Sequence, residues 1–233
     1  MCGRFVQSQP PDWYARFFSV DSILTEALEP SYNVAPTDPV YAVVQHDSER
    51  RLATFRWGLL PFWAKDRSMA ARNINARAET VADKAAFRES FAGRRCIIPA
   101  DGFYEWQVVA KGKLPHYIYG RDGGALALAG LWASWRDPGT QERVRTCTII
   151  TGEPNELVAA LHDRMPVVLP QGAWDEWLDP GNDDTDGLMR LMQPYPAPQM
   201  VEHPVSTLVN KVANNVPELI DPLTTPAADQ LSL

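Results

Sequence analysis

The sequence has few cysteines and no long apolar run, and each scarcity excludes a class of protein. Its three cysteines, Cys2, Cys96 and Cys147, are odd in number and scattered in spacing, which argues against a disulfide framework. Together with four scattered histidines they match no zinc-site pattern, so we expect no metal and no other cofactor. The longest apolar stretch, near residues 125–133, is far too short to span a membrane.

The first residues also lack the features of a secretory leader. They are polar and aromatic, without a basic stretch followed by an apolar run. Unpaired cysteines and the absence of a leader together favour a reducing compartment. We therefore expect a cytoplasmic protein that is monomeric and not bound to a membrane.

The charge of the chain is unevenly distributed. The net charge of −7 is unlike that of a nucleic-acid-binding protein. Residues 50–95, however, contain 11 basic and 4 acidic residues, a local excess of +7, together with Trp57, Phe62 and Trp63. A basic groove with aromatic side chains is how single-stranded nucleic acid is held without sequence preference. The alternative is an ordinary solvated face.

The apolar pattern predicts many short strands and a few short helices. Helices are expected at residues 11–18, 79–91, 153–162, 173–178 and 187–192. Strands are expected at residues 40–45, 52–57, 96–99, 103–109, 115–119, 125–135, 144–151 and 166–169. Runs of antiparallel strands with helices set aside indicate an α+β fold, with a barrel-like or sandwich core and peripheral helices. We expect one domain over residues 1–222 and a disordered tail over 223–233.

The opening Met1-Cys2-Gly3-Arg4 carries the most specific chemistry of the chain. Because Cys2 is small, we expect Met1 to be removed, which would leave Cys2 with both a free α-amine and a thiol. A 1,2-aminothiol can condense with an aldehyde and close a five-membered ring, which no internal cysteine can do. The two groups titrate near ~7.7–8.0 and ~8.5, so both are partly available at neutral pH. The alternative is a terminal cysteine of no consequence.

Three further segments, residues 73–80, 99–106 and 162–166, are dense in polar side chains. With the opening they supply a thiol, a carboxylate, an imidazole and an amide, which suit covalent catalysis with acid–base assistance. Glu105 could instead lie on the exposed face of a half-buried strand, and His162 could end its helix. Asn75 could cap a helix. Arg4, Arg77 and Arg164 could form surface ion pairs, and Cys96 and Cys147 are expected to be buried structural thiols.

Seven motifs occur in one order along the chain. They are Met1-Cys2-Gly3-Arg4, Tyr32-Asn33-Val34-Ala35-Pro36, the aromatic segment 57–63, Asn75-Ala76-Arg77-Ala78-Glu79-Thr80, the segment 95–106, Ala129-Gly130-Leu131-Trp132 and the segment 162–167. In this order they resemble the SRAP (SOS response-associated peptidase) family of abasic-site processing proteins, from Cys2 to about Pro222. One departure is Thr151-Gly152-Glu153-Pro154-Asn155, where the family more often has Thr-Thr-x-Ala-Asn.

The resemblance implies a function, a partner and a set of site residues. Its members join abasic sites in single-stranded DNA covalently, through a thiazolidine on the mature N-terminal cysteine, and so shield the site from strand cleavage. The enzymatic activity implied is DNA–protein crosslinking, with crosslink reversal, lyase-like and autopeptidase activities. The implied catalytic residues are Cys2, Glu105, His162 and Asn75, and the implied DNA-binding residues are Arg4, Arg77, Asn33, Phe62, Trp63, Arg164 and Trp106. The implied location is the cytoplasm, on the nucleoid when the protein is bound to DNA.

Two other functions stay open from the residues alone. The first is an N-terminal-nucleophile amidase or cysteine peptidase that uses Cys2, His162 and Glu105. The second is a non-catalytic binder of single-stranded DNA that uses only the basic segment and its tryptophans.

Overall fold

A computed structural model describes residues 2–223, which form thirteen strands and five short α-helices. The strands are β1 (Phe5–Gln7), β2 (Ser22–Ile23), β3 (Ser31–Val34), β4 (Pro39–His46), β5 (Glu49–Trp57), β6 (Asn75–Arg77), β7 (Arg95–Ala100), β8 (Gly102–Val109), β9 (Gly112–Gly120), β10 (Leu126–Arg136), β11 (Arg143–Gly152), β12 (Met165–Pro166) and β13 (Met200–Pro204). The α-helices are α1 (Pro11–Phe17), α2 (Arg88–Gly93), α3 (Glu156–Ala159), α4 (Trp174–Leu178) and α5 (Thr185–Arg190).

Five of the strands close into a barrel. The strand order is β11-β10-β7-β4-β5, and β5 returns to pair with β11 in parallel, with Thr146 opposite Arg56 and Cys147 opposite Trp57. Closure removes the exposed edges of the sheet. Beyond Trp57 the chain leaves the barrel wall, and β6 takes the place of β5 beside β11, with Asn75 opposite Ile149.

The remaining long strands form a second sheet in the order β13-β9-β8-β1-β3. In this sheet β1 pairs antiparallel with β8, and Phe5 lies opposite Phe103. Phe5 also packs edge-on against Trp57, with 5.0 Å between ring centroids. The second sheet is therefore fixed to the barrel beside the start of the chain.

Alternate residues of each barrel strand enter two different apolar clusters, as expected when successive side chains point to opposite faces. Tyr41 and Val43 belong to the cluster that includes Tyr14, Phe91 and Trp177 from the helices. The other cluster contains Val40, Ala42, Cys96 and Cys147 from the barrel strands. Both cysteines are completely buried and unpaired, so the prediction of structural thiols is confirmed.

The α+β prediction is confirmed, and each strand expected between residues 40 and 151 is present. The helix expected over 79–91 is wrong, because only Arg88–Gly93 is α-helical. Val81, Phe87 and Phe91 do bury their side chains, but successive tight turns between them achieve this burial without a continuous helix. Packing of apolar side chains has overridden the local periodicity.

Two further predictions were too long. The helix expected over 153–162 is a single turn, Glu156–Ala159, which starts where the Asn155 side chain accepts a hydrogen bond from the Val158 N–H. The strand expected over 166–169 is reduced to Met165–Pro166 and one isolated bridge from Val168. The tail predicted over 223–233 lies outside the described residues except for Leu223, whose N–H donates to the Pro204 carbonyl.

Candidate active site

Cys2 lies at the junction of the two sheets. The Arg4 carbonyl accepts the Tyr104 N–H at 3.0 Å, so the register of β1 on β8 carries the residues before Arg4 alongside Glu105. Cys2 is completely buried, and burial raises the pKa of its thiol, with a further increase from the charge of Glu105. The thiol is therefore protonated at neutral pH and needs a proton acceptor before it can attack an electrophile.

Asn75 holds the backbone of Cys2. Its Nδ2 donates to the Cys2 carbonyl at 2.8 Å, although 73 residues separate the two in sequence. Its Oδ1 is buried and has no hydrogen-bond partner among residues 2–223. Asn75 stands at the start of β6, so the alternative of a helix cap is wrong. A buried amide oxygen without a partner is costly and is the kind of group that a bound ligand can satisfy.

Glu105 is in the middle of β8 and is only 2% exposed, so the alternative of an exposed strand face is wrong. Burial raises the pKa of its carboxyl, and the charge of His162 partly offsets that rise. A buried carboxyl with a raised pKa holds its proton more readily than an exposed one, which suits it to proton transfer.

His162 follows α3, and its N–H donates to the Val158 carbonyl at 2.9 Å. The ring Nδ1 lies 3.0 Å from the Arg164 N–H and 2.8 Å from the Asp163 carboxylate. These two contacts fix the orientation of the His162 ring.

The fold therefore brings a thiol, an amide, a carboxyl and an imidazole to one place from four distant segments. Asn75 contacts Cys2 directly, and the charges of Glu105 and His162 act on each other. An enclosed nucleophile with two groups that can exchange protons is suited to condensation chemistry in which water must leave.

Arg4, Asn33 and Trp106 lie beside this site and hold the loop around residues 209–214. Arg4 donates to the Asn33 Oδ1 at 2.8 Å and to the Val209 carbonyl at 2.9 Å. The buried Asn33 amide donates to the carbonyls of Val209, Lys211 and Asn214. The Trp106 Nε1–H donates to the Asn210 side chain at 2.7 Å. Contact of these three residues with DNA stays a prediction.

Arg77 and Arg164 are placed differently from each other. Arg77 ends β6 and is exposed. Arg164 forms a two-pronged ion pair with Glu79, with N–O distances of 2.8 and 2.9 Å, and this pair lowers the pKa of the Glu79 carboxyl. Arg164 also donates to Thr151 of β11, so it fixes the turn that carries His162. For Arg164 the ion-pair interpretation is confirmed, and its contact with DNA stays a prediction.

The aromatic residues expected to stack on bases are exposed. Phe62 and Trp63 are 66% and 44% exposed, on the loop that follows β5. The basic residues of the segment 50–95 do not all lie on the surface. Arg95 is buried and donates to five backbone carbonyls, so it is structural.

A second imidazole–carboxylate pair near Glu105 has no counterpart among the site residues predicted from the sequence. His116 of β9 lies directly opposite Glu105 in the sheet and is buried, and its Nδ1 is 2.6 Å from a Glu202 oxygen. Only the pairing of β8, β9 and β13 brings these side chains together, and no local sequence motif indicates that pairing. The loop around Asn210 was missed as well, although the cluster of asparagines at 210, 214 and 215 could have marked it.

Neither a metal cluster nor a membrane span is found in the part of the chain that the structure describes. Residues 2–223 contain no group of three or more histidine, cysteine or acidic side chains placed to hold an ion. None of their helices has the length and apolar character needed to cross a bilayer.

Fold and site together define a mixed α+β protein in which a buried cysteine, Cys2, lies with Asn75 and Glu105 at the junction of two sheets. The chain belongs to the family described as SOS response associated peptidase (SRAP), whose model matches residues 1–212. It is 46% identical over 223 residues to the Bacillus subtilis protein "Abasic site processing protein YoqW", a match that covers 95% of this chain and 99% of that one. It is 35% identical over 224 residues to "Abasic site processing protein HMCES" of Xenopus tropicalis, covering 83% of this chain and 66% of that one.

A solved structure has the same fold. The crystal structure of a Bacteroides thetaiotaomicron protein superposes with a TM-score of 0.86 at 27% identity, covering 95% of this chain and all of that one.

Proposed function

We propose that this protein processes abasic sites by joining itself covalently to them in single-stranded DNA through Cys2. The observation that carries the proposal is the convergence of Cys2, Asn75, Glu105 and His162 on one enclosed site. The names of the YoqW and HMCES relatives support abasic DNA as the substrate.

The chemistry requires the α-amine of Cys2, and hence removal of Met1, which lies outside the described residues. An abasic deoxyribose opens to an aldehyde at C1′. The amine adds to C1′, and loss of one water gives a Schiff base. The Cys2 sulfur then attacks the same carbon, and the thiol proton passes to the nitrogen. The product is a thiazolidine, formed from the aldehyde and the aminothiol with release of one water. Ring closure removes the iminium that would drive β-elimination, so the DNA strand stays intact.

Each neighbouring side chain has a role in these steps. Glu105, whose pKa is raised by burial, protonates the hydroxyl that leaves as water and accepts a proton from the thiol. His162 exchanges protons at the Schiff-base stage and supports reversal of the crosslink. Asn75 holds the Cys2 carbonyl with its Nδ2 and offers its Oδ1 to a sugar hydroxyl. Phe62 and Trp63 provide the exposed aromatic surface for flanking bases.

The peptidase alternative is less well supported by the site. A cysteine peptidase uses a thiol whose pKa is lowered so that it is a thiolate at neutral pH. Burial and the charge of Glu105 instead raise the pKa of the Cys2 thiol. A neutral thiol that attacks only after a Schiff base has formed nearby is compatible with this environment. The proposal includes two secondary activities, which are removal of Met1 and lyase-like cleavage.

The proposal is tested with an oligonucleotide that contains one abasic site, run on a denaturing gel. The wild type should give a heat-stable shifted band without borohydride. Cys2→Ser is the matched variant, because it keeps the α-amine but replaces the sulfur. It should give a band only when borohydride traps the Schiff base. A stable band from Cys2→Ser without borohydride would contradict ring closure through sulfur, and amide hydrolysis without any shifted band would favour the peptidase.

A further inference from the structure

A second cationic site lies on the barrel away from Cys2. A surface cavity of about 400 Å³ opens where the end of β5 meets the start of β11. We call it the basic groove, and its polar lining consists of Thr37, Thr54, Arg56, Arg67, Glu142, Arg143 and Arg145, four arginines against one carboxylate. Four arginines in one groove are unexpected in a chain with a net charge of −7.

Three of these arginines are not neutralised by the protein. Arg67 is paired with Asp137 at 2.9 Å and with Glu142 at 3.3 Å. Arg56, Arg143 and Arg145 are exposed, and among residues 2–223 they have no carboxylate within ion-pair distance. The positive charges of these three side chains therefore repel one another in the free protein, and an anion in the groove would offset that repulsion.

Their geometry favours a chain of anions over a single small one. Arg143 and Arg145 are two residues apart on β11, so they project from the same face about 7 Å apart. The guanidinium of Arg145 lies 5.5 Å from the centre of the Phe55 ring, which holds it in the groove. Guanidinium groups bind phosphate through paired N–H donors, so a row of them suits a phosphate backbone.

The basic groove is aligned with the candidate active site along one strand. Asn75, which contacts Cys2, is opposite Ile149 of β11. Arg145 and Arg143 precede Ile149 by four and six residues, or about 13 and 20 Å along the strand. An extended single strand of DNA covers this distance in a few nucleotides.

The aromatic loop lies next to the groove. The Trp135 Nε1–H donates to the Ala64 carbonyl at 2.8 Å, immediately after exposed Trp63. The Arg67 guanidinium is 6.0 Å from the centre of the Trp135 ring. The loop that carries Trp63 therefore borders the basic groove at Arg67.

We propose that the basic groove binds the phosphate backbone of the DNA strand that flanks the abasic nucleotide, a few nucleotides away. The inference rests on the proposed function, because it takes the DNA that reacts with Cys2 as the occupant. It adds a second contact region, separate from Cys2, that sets how much flanking DNA the protein engages.

The test compares short and long DNA in the variant Arg56→Gln, Arg143→Gln, Arg145→Gln. The control variant Arg16→Gln, Arg88→Gln, Arg190→Gln removes the same charge from three exposed helical positions. Fluorescence anisotropy measures the binding of unmodified single strands of five and of twenty-five nucleotides between 50 and 300 mM salt. Melting curves verify that both variants are folded.

The groove variant should bind the long strand about tenfold or more weakly. Its plot of log K against log salt should be shallower by about 2, from roughly 0.7 per lost phosphate contact on single strands. Binding of the short strand should weaken less, because a five-nucleotide strand cannot occupy the groove and the surface beside Cys2 at once and so loses only one of two alternative sites. Equal losses on both strands, or a long-strand slope like that of the control, would overturn the proposal.

The outcome is separable from that of the proposed function. The groove is tested by reversible binding to DNA that contains no aldehyde, whereas the crosslink is tested by the gel with Cys2→Ser. A shallower slope without any crosslink would refute the covalent function and leave the groove in place. A normal crosslink with an unchanged slope would refute the groove and leave the covalent function in place.

Discussion

Replacing Glu105 with glutamine separates the chemical role of this side chain from a structural one. Glu105→Gln keeps the shape of the side chain but replaces the carboxyl with an amide that does not ionise. The carboxyl is 2% exposed, and its pKa is raised mainly by burial. A carboxyl that holds its proton more tightly in the folded state contributes most to stability at low pH. That contribution is lost as the pH rises through the folded-state pKa.

The variant is therefore expected to be more stable than the wild type at pH 8 and similar to it at pH 4. Each unit by which a pKa is raised corresponds to about 1.4 kcal/mol. Glutamine does not ionise, so the variant avoids the cost of a buried charge. Melting temperatures measured from pH 4 to pH 8 should show a gap that widens with pH.

The same variant should crosslink abasic DNA slowly. Positioned acid–base groups contribute ~10²–10⁴-fold, which corresponds to about 2.7–5.4 kcal/mol of activation free energy. Single-turnover crosslinking on a denaturing gel measures the rate. Binding of unmodified DNA by the same variant should stay close to that of the wild type. A variant that loses stability at pH 8, or that reacts at the wild-type rate, would refute the reasoning.

Three other substitutions test separate parts of the structure. Asn75→Leu removes the hydrogen bond to the Cys2 carbonyl, so crosslinking should slow about tenfold or more in the gel assay, while the melting temperature changes little. Arg95→Met leaves five carbonyls without their donor and should lower the unfolding free energy in urea by about 3 kcal/mol or more, with an unchanged salt dependence of DNA binding. Gly58→Ala should destabilise the protein by more than about 1 kcal/mol, because Gly58 has φ of +126° and an added Cβ would lie 2.6 Å from the Ala70 carbonyl oxygen. An Asn75→Leu rate like the wild type's, or an unfolding midpoint unchanged in either of the others, would contradict these expectations.

The strands were readable from the sequence because their signal is local. Alternation within residues 40–57 and the apolar run of residues 125–135 required no knowledge of distant partners, and all three strands formed where expected. The segment 79–91 misled the prediction because its apolar spacing fits a helix. Contacts with the barrel and α4 decided otherwise, and the chain turns repeatedly to place Val81 and Phe87.

The residue types of the candidate site were also readable from the sequence. Cys2, Glu105 and His162 lie in short polar motifs that stand out from their neighbours. Their sequence context did not reveal that Glu105 is enclosed rather than exposed, or that Arg164 is bound to Glu79. Those facts depend on which strands pair and on how much water the packed sheets exclude.

The sequence by itself determined the chemistry that is available, because the identity and order of side chains fix the donors, acceptors and nucleophiles. It also determined the local strand pattern, because alternation is a property of neighbouring residues. Only the tertiary structure decided proximity and environment. The return of β5 to β11 aligns the basic groove with Asn75, and the pairing of β1 with β8 encloses Cys2 beside Glu105. Such pairings join residues far apart in the chain, and the burial they create raises the pKa of Cys2 and of Glu105.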